Sequence, residues 1–112
     1  RTILCGEVAL HQIEGLSDGF VPGIFARHRA LVGETTSVSS ADAVAMMRRL
    51  ARMRGLFCGP SSGAHLVAAQ RVREQNPQLQ TVVTIFDDEG EKYLHDFFMR
   101  PATSDHAPVP FH

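Results

Sequence analysis

The chain has 112 residues, a formal net charge of −1 and 44% hydrophobic residues. This length supports one domain at most, with a hydrophobic core of moderate size. The near-neutral charge argues against non-specific binding to nucleic acid or anionic membranes, because both need a clustered basic surface. No apolar run approaches the ~20 residues of a transmembrane helix, and the start of the chain lacks the pattern of a signal peptide.

The two cysteines, Cys5 and Cys58, lie far apart in sequence and each has apolar neighbours. Such residues are typical of buried thiols in a reducing compartment, which predicts a cytoplasmic protein. A disulfide between them stays open, because its formation depends on geometry. The six histidines form no close-spaced Cys/His ligand pattern, so no metal site is predicted.

The sequence of the first third of the chain predicts short strands and a short helix. Residues 2–5 are expected to form a strand that ends at Gly6, followed by a glycine-containing loop. Residues 20–28 predict a short helix interrupted by Pro22 and Gly23, and residues 35–38 are rich enough in β-branched side chains to predict a second strand.

An amphipathic helix is predicted over residues 40–54, where apolar side chains recur with a 3.6-residue period. Ser39 is placed to cap its N-terminus and Asp42 stands in capping-box position. Gly55 is placed to end the helix in a left-handed conformation.

The second half predicts a helix over 62–75, a strongly apolar strand over 81–86, a polar loop over 87–90 and a short helix over 91–98. Because the 81–86 segment is β-branched or aromatic throughout, we expect it to be a central strand covered on both faces. Residues 100–112 are rich in Pro, Ser, Asp and His and are predicted to form a flexible tail.

Alternating strands and helices predict an α/β fold, with a parallel sheet flanked by helices. Ligands of such sheets bind beyond the carboxyl ends of the strands. The turn around Ser61 and the loop at 87–90 both occupy that position in the sequence. We therefore expect them to lie together at a ligand site.

Three motifs in order carry a family resemblance. Gly59-Pro60-Ser61-Ser62-Gly63-Ala64 places small hydroxyl residues at a helix start, where a ring nitrogen, a phosphate or a carboxylate can be held. With His11-Gln12-Ile13-Glu14-Gly15-Leu16 upstream and Asp88-Glu89-Gly90-Glu91-Lys92-Tyr93-Leu94 downstream, the chain resembles cysteine synthases, which are pyridoxal-phosphate enzymes of the β-replacement family. The resemblance spans roughly residues 3–98, the last third of a family member.

The resemblance implies that residues 1–99 are the C-terminal portion of the large domain of a fold-type II, tryptophan synthase β-like enzyme. It implies that Ser61 binds the pyridine nitrogen of pyridoxal 5'-phosphate, and that Gly15 and Leu16 line the substrate side. A hydroxyl at that position suits a neutral ring, whereas a carboxylate favours a protonated one. Helix capping by Ser61 is the structural alternative. Glu14 and Ser17 depart from the family pattern, so the resemblance leaves the exact substrate open.

The resemblance also implies a lysine that forms a Schiff base with the cofactor. The only lysine here, Lys92, does not match it. We therefore expect no catalytic residue in this chain and no turnover by the chain alone. The chain begins with Arg rather than Met, which fits a piece of a longer protein. The parent enzyme would be a homodimer that makes cysteine from O-acetylserine and sulfide. Cystathionine β-synthase or cysteine desulfhydrase chemistry stays open, as does a non-catalytic remnant or interaction module.

Overall fold

The structure is a computed structural model that describes residues 21–33 and 35–99. The chain divides into two compact units, Arg1–Ser37 and Val38–His112. The predicted strand at 2–5, the substrate-side loop and the predicted tail lie outside the described residues.

A single short helix, α1 (Gly23–His28), forms in the described part of the first unit and continues into a 3₁₀ turn at Arg29–Leu31. The Ala26 amide donates to the carbonyl of Pro22 at 3.0 Å, so the proline stands just before the helix, where its fixed φ and missing N–H are tolerated. The helix predicted over 20–28 is therefore confirmed from Gly23 onward.

Helix α2 (Ser40–Arg54) opens the second unit and has the predicted bounds. The Ser39 hydroxyl accepts from the Asp42 amide at 3.0 Å, which confirms the N-cap. Gly55 ends the helix at φ 64°, the left-handed conformation expected of a C-cap glycine. The Asp42 carboxylate, in turn, accepts from Arg71 at 3.0 Å.

Helix α3 (Pro60–Gln75) starts two residues earlier than predicted. Pro60 occupies its first turn, where a missing N–H removes no helical hydrogen bond, and this extends the helix back to Gly59 as its N-cap. Asn76 ends it, as predicted, with its amide bonded to the carbonyls of Val72 and Arg73.

The core of the second unit lies between α2 and α3. Met46 and Leu50 of α2 pack with Val67 of α3 and with Cys58 in the connection between the helices. The helices pack closely at Gly63, where an added Cβ would clash with the carbonyl oxygen of Ala43. A side chain at this position would therefore push the two backbones apart.

The predicted helix at 91–98 forms as a 3₁₀ turn at Glu91–Tyr93 followed by a π-helical segment at Leu94–Met99. Phe98 packs edge-on against Phe57 with ring centroids 5.0 Å apart. These turns therefore cover the connection between α2 and α3.

The predicted strands at 35–38 and 81–86 are not formed within the described residues. Pairing there is limited to an isolated antiparallel bridge between Cys58 and Glu89, so the predicted parallel sheet is absent from this part of the chain. A strand requires a hydrogen-bonded neighbour, and its sequence alone does not supply one. Val83 is 85% exposed and Ile85 68% exposed, so the expectation that 81–86 is covered on both faces was wrong for the described chain.

Within the residues described, no helix is both long and apolar enough to cross a membrane.

Candidate functional site

The two motifs of the second unit are joined by a short antiparallel pairing. The Gly59 amide donates to the carbonyl of Asp88 at 3.2 Å, and the Gly90 amide donates to the carbonyl of Phe57 at 3.1 Å. An added Cβ at Gly59 would run into the Asp88 carboxylate and the Tyr93 ring. The absence of a side chain at Gly59 therefore lets the Asp87–Asp88 segment lie against the start of α3.

Ser61, in the first turn of α3, contacts the carboxylate of Asp87. Its hydroxyl lies 3.1 Å from Oδ1 and 3.0 Å from Oδ2 of that side chain, and 3.5 Å from Oδ1 of Asp88. An ionised carboxylate only accepts hydrogen bonds, so the Ser61 hydroxyl is the donor. The structure thus brings together the turn and the loop that the sequence predicts to meet.

Ser62 fixes Asp87 from the buried side. Its side chain is fully buried, and its hydroxyl accepts from the Asp87 amide at 3.3 Å and lies 3.3 Å from Oδ1 of the same residue. Ser62 therefore holds both the backbone and the carboxylate of Asp87, while Ser61 is only half-buried. The two serines have different roles: Ser62 is structural, and Ser61 stands on the accessible side.

His65 completes the cluster one turn further along α3. Its Nδ1 lies 2.8 Å from the carbonyl oxygen of Ile85 and 3.6 Å from Oδ1 of Asp87. Because a carbonyl oxygen only accepts, Nδ1 carries a proton. Protonation at Nε2 as well would make His65 a partner for the Asp87 charge.

Asp88 is held by Tyr93, whose hydroxyl donates to Oδ2 at 2.7 Å. Burial raises the pKa of Tyr93, and the hydrogen bond to Asp88 and the charge of Asp88 raise it further, while Lys92 opposes the change. The tyrosine therefore stays protonated and keeps donating.

Cys58 lies buried beneath the cluster. Burial raises the pKa of the Cys58 thiol; a hydrogen bond with Ser62 opposes this, and the charges of Asp88 and Asp87 add to it. A thiol with a raised pKa is a poor nucleophile at neutral pH. Cys58 therefore contributes to the hydrophobic core.

Charge decides which ligand the start of α3 can hold. The N-terminus of a helix favours negative charge, and Asp87 already supplies a carboxylate there. With Asp88 beside it, a phosphate would meet two like charges. A hollow of about 280 Å³ opens next to these carboxylates, lined on its apolar side by Leu56, Phe57 and Phe86. A neutral hydroxyl that contacts two carboxylates suits a nitrogen of an aromatic ring better than it suits an anion.

Of the site residues predicted from the sequence, Ser61 lies in this cluster, and Gly15 and Leu16 lie outside the described residues. Sequence reasoning missed the direct contacts that Asp87, Ser62 and His65 make. The signal for Asp87 was its position directly after an apolar run that leads toward the site. No spacing pattern indicates His65, whose contact depends on the course of 81–87 beside α3.

Among residues 21–33 and 35–99, no group of three or more His, Cys, Asp or Glu side chains is arranged to hold a metal ion.

Comparison with known proteins gives consistent matches. The family described as "Pyridoxal-phosphate dependent enzyme" matches residues 4–88. O-ureido-L-serine synthase from Streptomyces lavendulae is 35% identical over 92 residues, which are 82% of this chain and 28% of that protein. Cysteine synthase B from Escherichia coli is 43% identical over 75 residues, 67% of this chain and 24% of that protein.

Among solved structures, O-acetyl serine sulfhydrylase isoform 3 from Entamoeba histolytica superposes with a TM-score of 0.79 and 32% sequence identity. The match covers 89% of this chain and 30% of that one. The chain thus spans 24% to 30% of the length of these relatives.

The resemblance read from Ser61 and its flanking motifs is confirmed by a family match over more than half of the chain and by an independent structural match. The chain belongs to the family of pyridoxal-phosphate dependent enzymes and is cysteine synthase-like.

Proposed function

We propose that the gene product carrying this chain catalyses pyridoxal-phosphate-dependent β-replacement, making cysteine from O-acetylserine and sulfide, and that the chain forms part of its large domain. The observation that carries the proposal is the hydrogen-bonded cluster of Ser61, Ser62 and Asp87. It lies within the stretch matched by the family. The 43% identity to a cysteine synthase supports the choice of reaction.

The donor set of the cluster fits the ring nitrogen of the cofactor. Ser61 offers a half-buried hydroxyl, whereas the carboxylates of Asp87 and Asp88 beside it make the same place unfavourable for the cofactor's phosphate. We therefore place the ring nitrogen at Ser61 and the phosphate away from the start of α3. Bound there, the cofactor supplies an electron-withdrawing ring that stabilises negative charge left on the substrate when a proton departs.

The chain's own residues then orient rather than react. Ser61 would hold the ring nitrogen through one hydrogen bond, and Ser62 keeps Asp87 in place beside Ser61. Gly15 and Leu16 line the amino-acid side, where a glycine lets backbone approach the substrate closely. The proton-transfer lysine comes from outside these 112 residues, because Lys92 contacts the ring of Tyr93, with its Nζ 5.3 Å from the ring centroid.

The test uses the full-length gene product loaded with pyridoxal phosphate. Cysteine formation from O-acetylserine should require sulfide, and Ser61→Ala should lower the rate by about 10- to 100-fold, the equivalent of one lost hydrogen bond to a charged or strongly polarised group. Glu74→Gln, a change on the exposed last turn of α3, is the control and should leave the rate unchanged. A loaded enzyme that forms no cysteine would reject the reaction. An unimpaired Ser61→Ala would reject the role of Ser61.

A second candidate is β-replacement with a nucleophile other than sulfide, favoured by the 35% identity to O-ureido-L-serine synthase. Parallel assays with sulfide and with oxygen nucleophiles distinguish the two, since only the preferred nucleophile should saturate at low concentration. The homodimer and the cytoplasmic location stay predictions of the proposal.

A further inference from the structure

We propose that three arginines on the outer face of α2, Arg48, Arg49 and Arg52, dock an acidic segment of a partner protein. These three residues are called the arginine stripe below. The proposed reaction uses none of them, so the inference stands or falls independently of that reaction.

The position of the arginine stripe follows from the helical period. With about 3.6 residues per turn, Arg48 and Arg52 lie one above the other with their Cβ atoms about 5–6 Å apart, and Arg49 lies beside them. Met47 and Leu50 are buried on the opposite side of the helix. Arg52 is exposed, and Arg48 and Arg49 are half-buried. The stripe therefore lies on the side of α2 that is turned away from the core.

The positive charge of the stripe is not balanced within the described part of the chain. Helix α2 has a single acidic residue, Asp42, and its carboxylate accepts from Arg71. Neither Arg48 nor Arg52 forms an ion pair with a described carboxylate, although Asp96 lies exposed in the π-helical segment that Arg48 contacts. Like charges one turn apart on a helix repel each other. A bound anion would relieve that repulsion.

One arginine of the stripe is already ordered. The Nε of Arg48 donates to the carbonyl of Phe97, which fixes the side chain before any partner binds. Its other N–H groups donate to no described residue, and a guanidinium group matches the two oxygens of a carboxylate. Because a fixed donor loses less conformational freedom on binding, this contact favours recognition of a carboxylate.

The surroundings of the stripe favour a protein segment over nucleic acid or a membrane. Two glutamates at i and i+4 of a partner helix have the same spacing as Arg48 and Arg52, so each arginine meets one carboxylate. Met53, 60% exposed and one turn beyond Arg49, adds a flexible apolar contact. Nucleic acid and anionic lipid need a broader basic surface, whereas the whole chain has a net charge of −1.

The experiment uses the full-length gene product loaded with pyridoxal phosphate. The probe is a fluorescent alanine-based helical peptide with glutamates four residues apart and one leucine. Fluorescence anisotropy should show binding that weakens as salt is added, because salt screens exposed charges. The same peptide with glutamine in place of glutamate should not bind.

Substitutions at Arg52 test the stripe itself. Arg52→Glu reverses an exposed charge and should weaken peptide binding by about 3- to 10-fold, while Arg52→Lys should keep most of the affinity. Arg73→Glu is the matched control, because Arg73 is also an exposed arginine in the last turn of its helix, α3. It changes the net charge by the same amount and should leave peptide binding unchanged.

Several results would overturn the proposal. They are peptide binding that Arg52→Glu does not weaken, an equal loss with Arg73→Glu, and equal binding of the glutamine peptide. Absence of binding also overturns it, and this is the result expected if another part of the full-length protein covers the stripe. Tighter binding of a DNA oligonucleotide, or of vesicles with equal parts phosphatidylcholine and phosphatidylserine, would assign the stripe to another class of partner. Circular dichroism checks the fold of each variant, and the salt series and the glutamine peptide remain informative if Arg52→Glu does not fold.

Discussion

The hydroxyl of Ser61 lies 3.0 Å from one carboxylate oxygen of Asp87 and 3.1 Å from the other. The two residues are 26 positions apart, and a backbone pairing of Phe57–Gly59 with Asp88–Gly90 brings them together. A serine in the first turn of α3 is thereby linked to an acidic loop, and this link places negative charge at the start of the helix.

Substitution of Ser61 and substitution of Ser62 should have different effects on stability and on cofactor binding. Ser62→Ala removes buried hydrogen bonds to the amide and carboxylate of Asp87 and should lower the free energy of unfolding by about 1–3 kcal/mol. Ser61→Ala, at a half-buried position, should cost about 0.5–1 kcal/mol but weaken cofactor binding more. Denaturant unfolding of the chain and cofactor titration of the full-length protein measure the two effects. Equal effects of both substitutions in both assays would contradict the division of roles.

Gly63 should tolerate no side chain. Gly63→Ala places a methyl group against the carbonyl of Ala43 on α2, and because that atom is backbone it cannot move without separating the helices. We expect a loss of roughly 1–3 kcal/mol in unfolding free energy, despite the higher helix propensity of alanine. Gly23→Ala is the matched control: its Cβ would meet nothing within 4 Å, so it should be neutral or stabilise by up to ~1 kcal/mol. Thermal unfolding compares them, and a neutral Gly63→Ala would refute the close helix contact.

Tyr93 should make stability fall at alkaline pH. Its pKa is raised in the folded state from a reference value of 10.0, so the protonated phenol is favoured by folding. Its contribution is fully present below pH 10.0 and is lost as the pH rises from that value through the raised folded pKa. Because the chain has a single tyrosine, tyrosinate absorbance reports this titration without interference.

Tyr93→Phe should remove the part of the alkaline loss of stability that comes from Tyr93. It also removes the hydroxyl that donates to Asp88, so the free energy of unfolding should fall by about 1–2 kcal/mol at neutral pH. The raised pKa of Cys58 adds a loss from about pH 9.0 upward, so the comparison is made against Cys58→Ala. A tyrosinate titration at or below the reference pKa would contradict the contact with Asp88.

The isolated chain should self-associate through the exposed side chains of Val83 and Ile85. They are 85% and 68% exposed, and full burial of each would contribute about 1.5–3 kcal/mol. Sedimentation at increasing concentration should show species larger than a monomer, and the double change Val83→Lys with Ile85→Lys should reduce them. Leu31→Lys replaces a side chain that is 83% exposed elsewhere and should not. A native chain that stays a monodisperse monomer at every concentration would overturn this prediction.

The helices of the second unit follow from local sequence, whereas the pairing of distant segments does not. Helix α2 is set by its apolar period, by the Ser39 cap and by the left-handed Gly55, all of which are local features. The start of α3 differed from prediction because Pro60 in the first turn extends the helix by two residues. The segment 81–86 has the composition of a central strand, but strand formation depends on a neighbour that composition does not specify.

In the candidate site, too, the contacts between distant segments could not be predicted from the sequence. The motif around Ser61 indicated the family, and the position of the 87–90 loop indicated where the site lies. The bond from Ser61 to Asp87, the burial of Ser62 and the Nδ1 proton of His65 depend on distances between segments. Only the folded chain reveals them.

The most direct test of the central claim is a crystal structure of the full-length gene product with pyridoxal phosphate bound. The account predicts the ring nitrogen within about 3 Å of the Ser61 oxygen, with Asp87 still bonded to Ser61 and the phosphate away from the start of α3. A phosphate bound at the start of α3, or a ring nitrogen with no contact to Ser61, would contradict it.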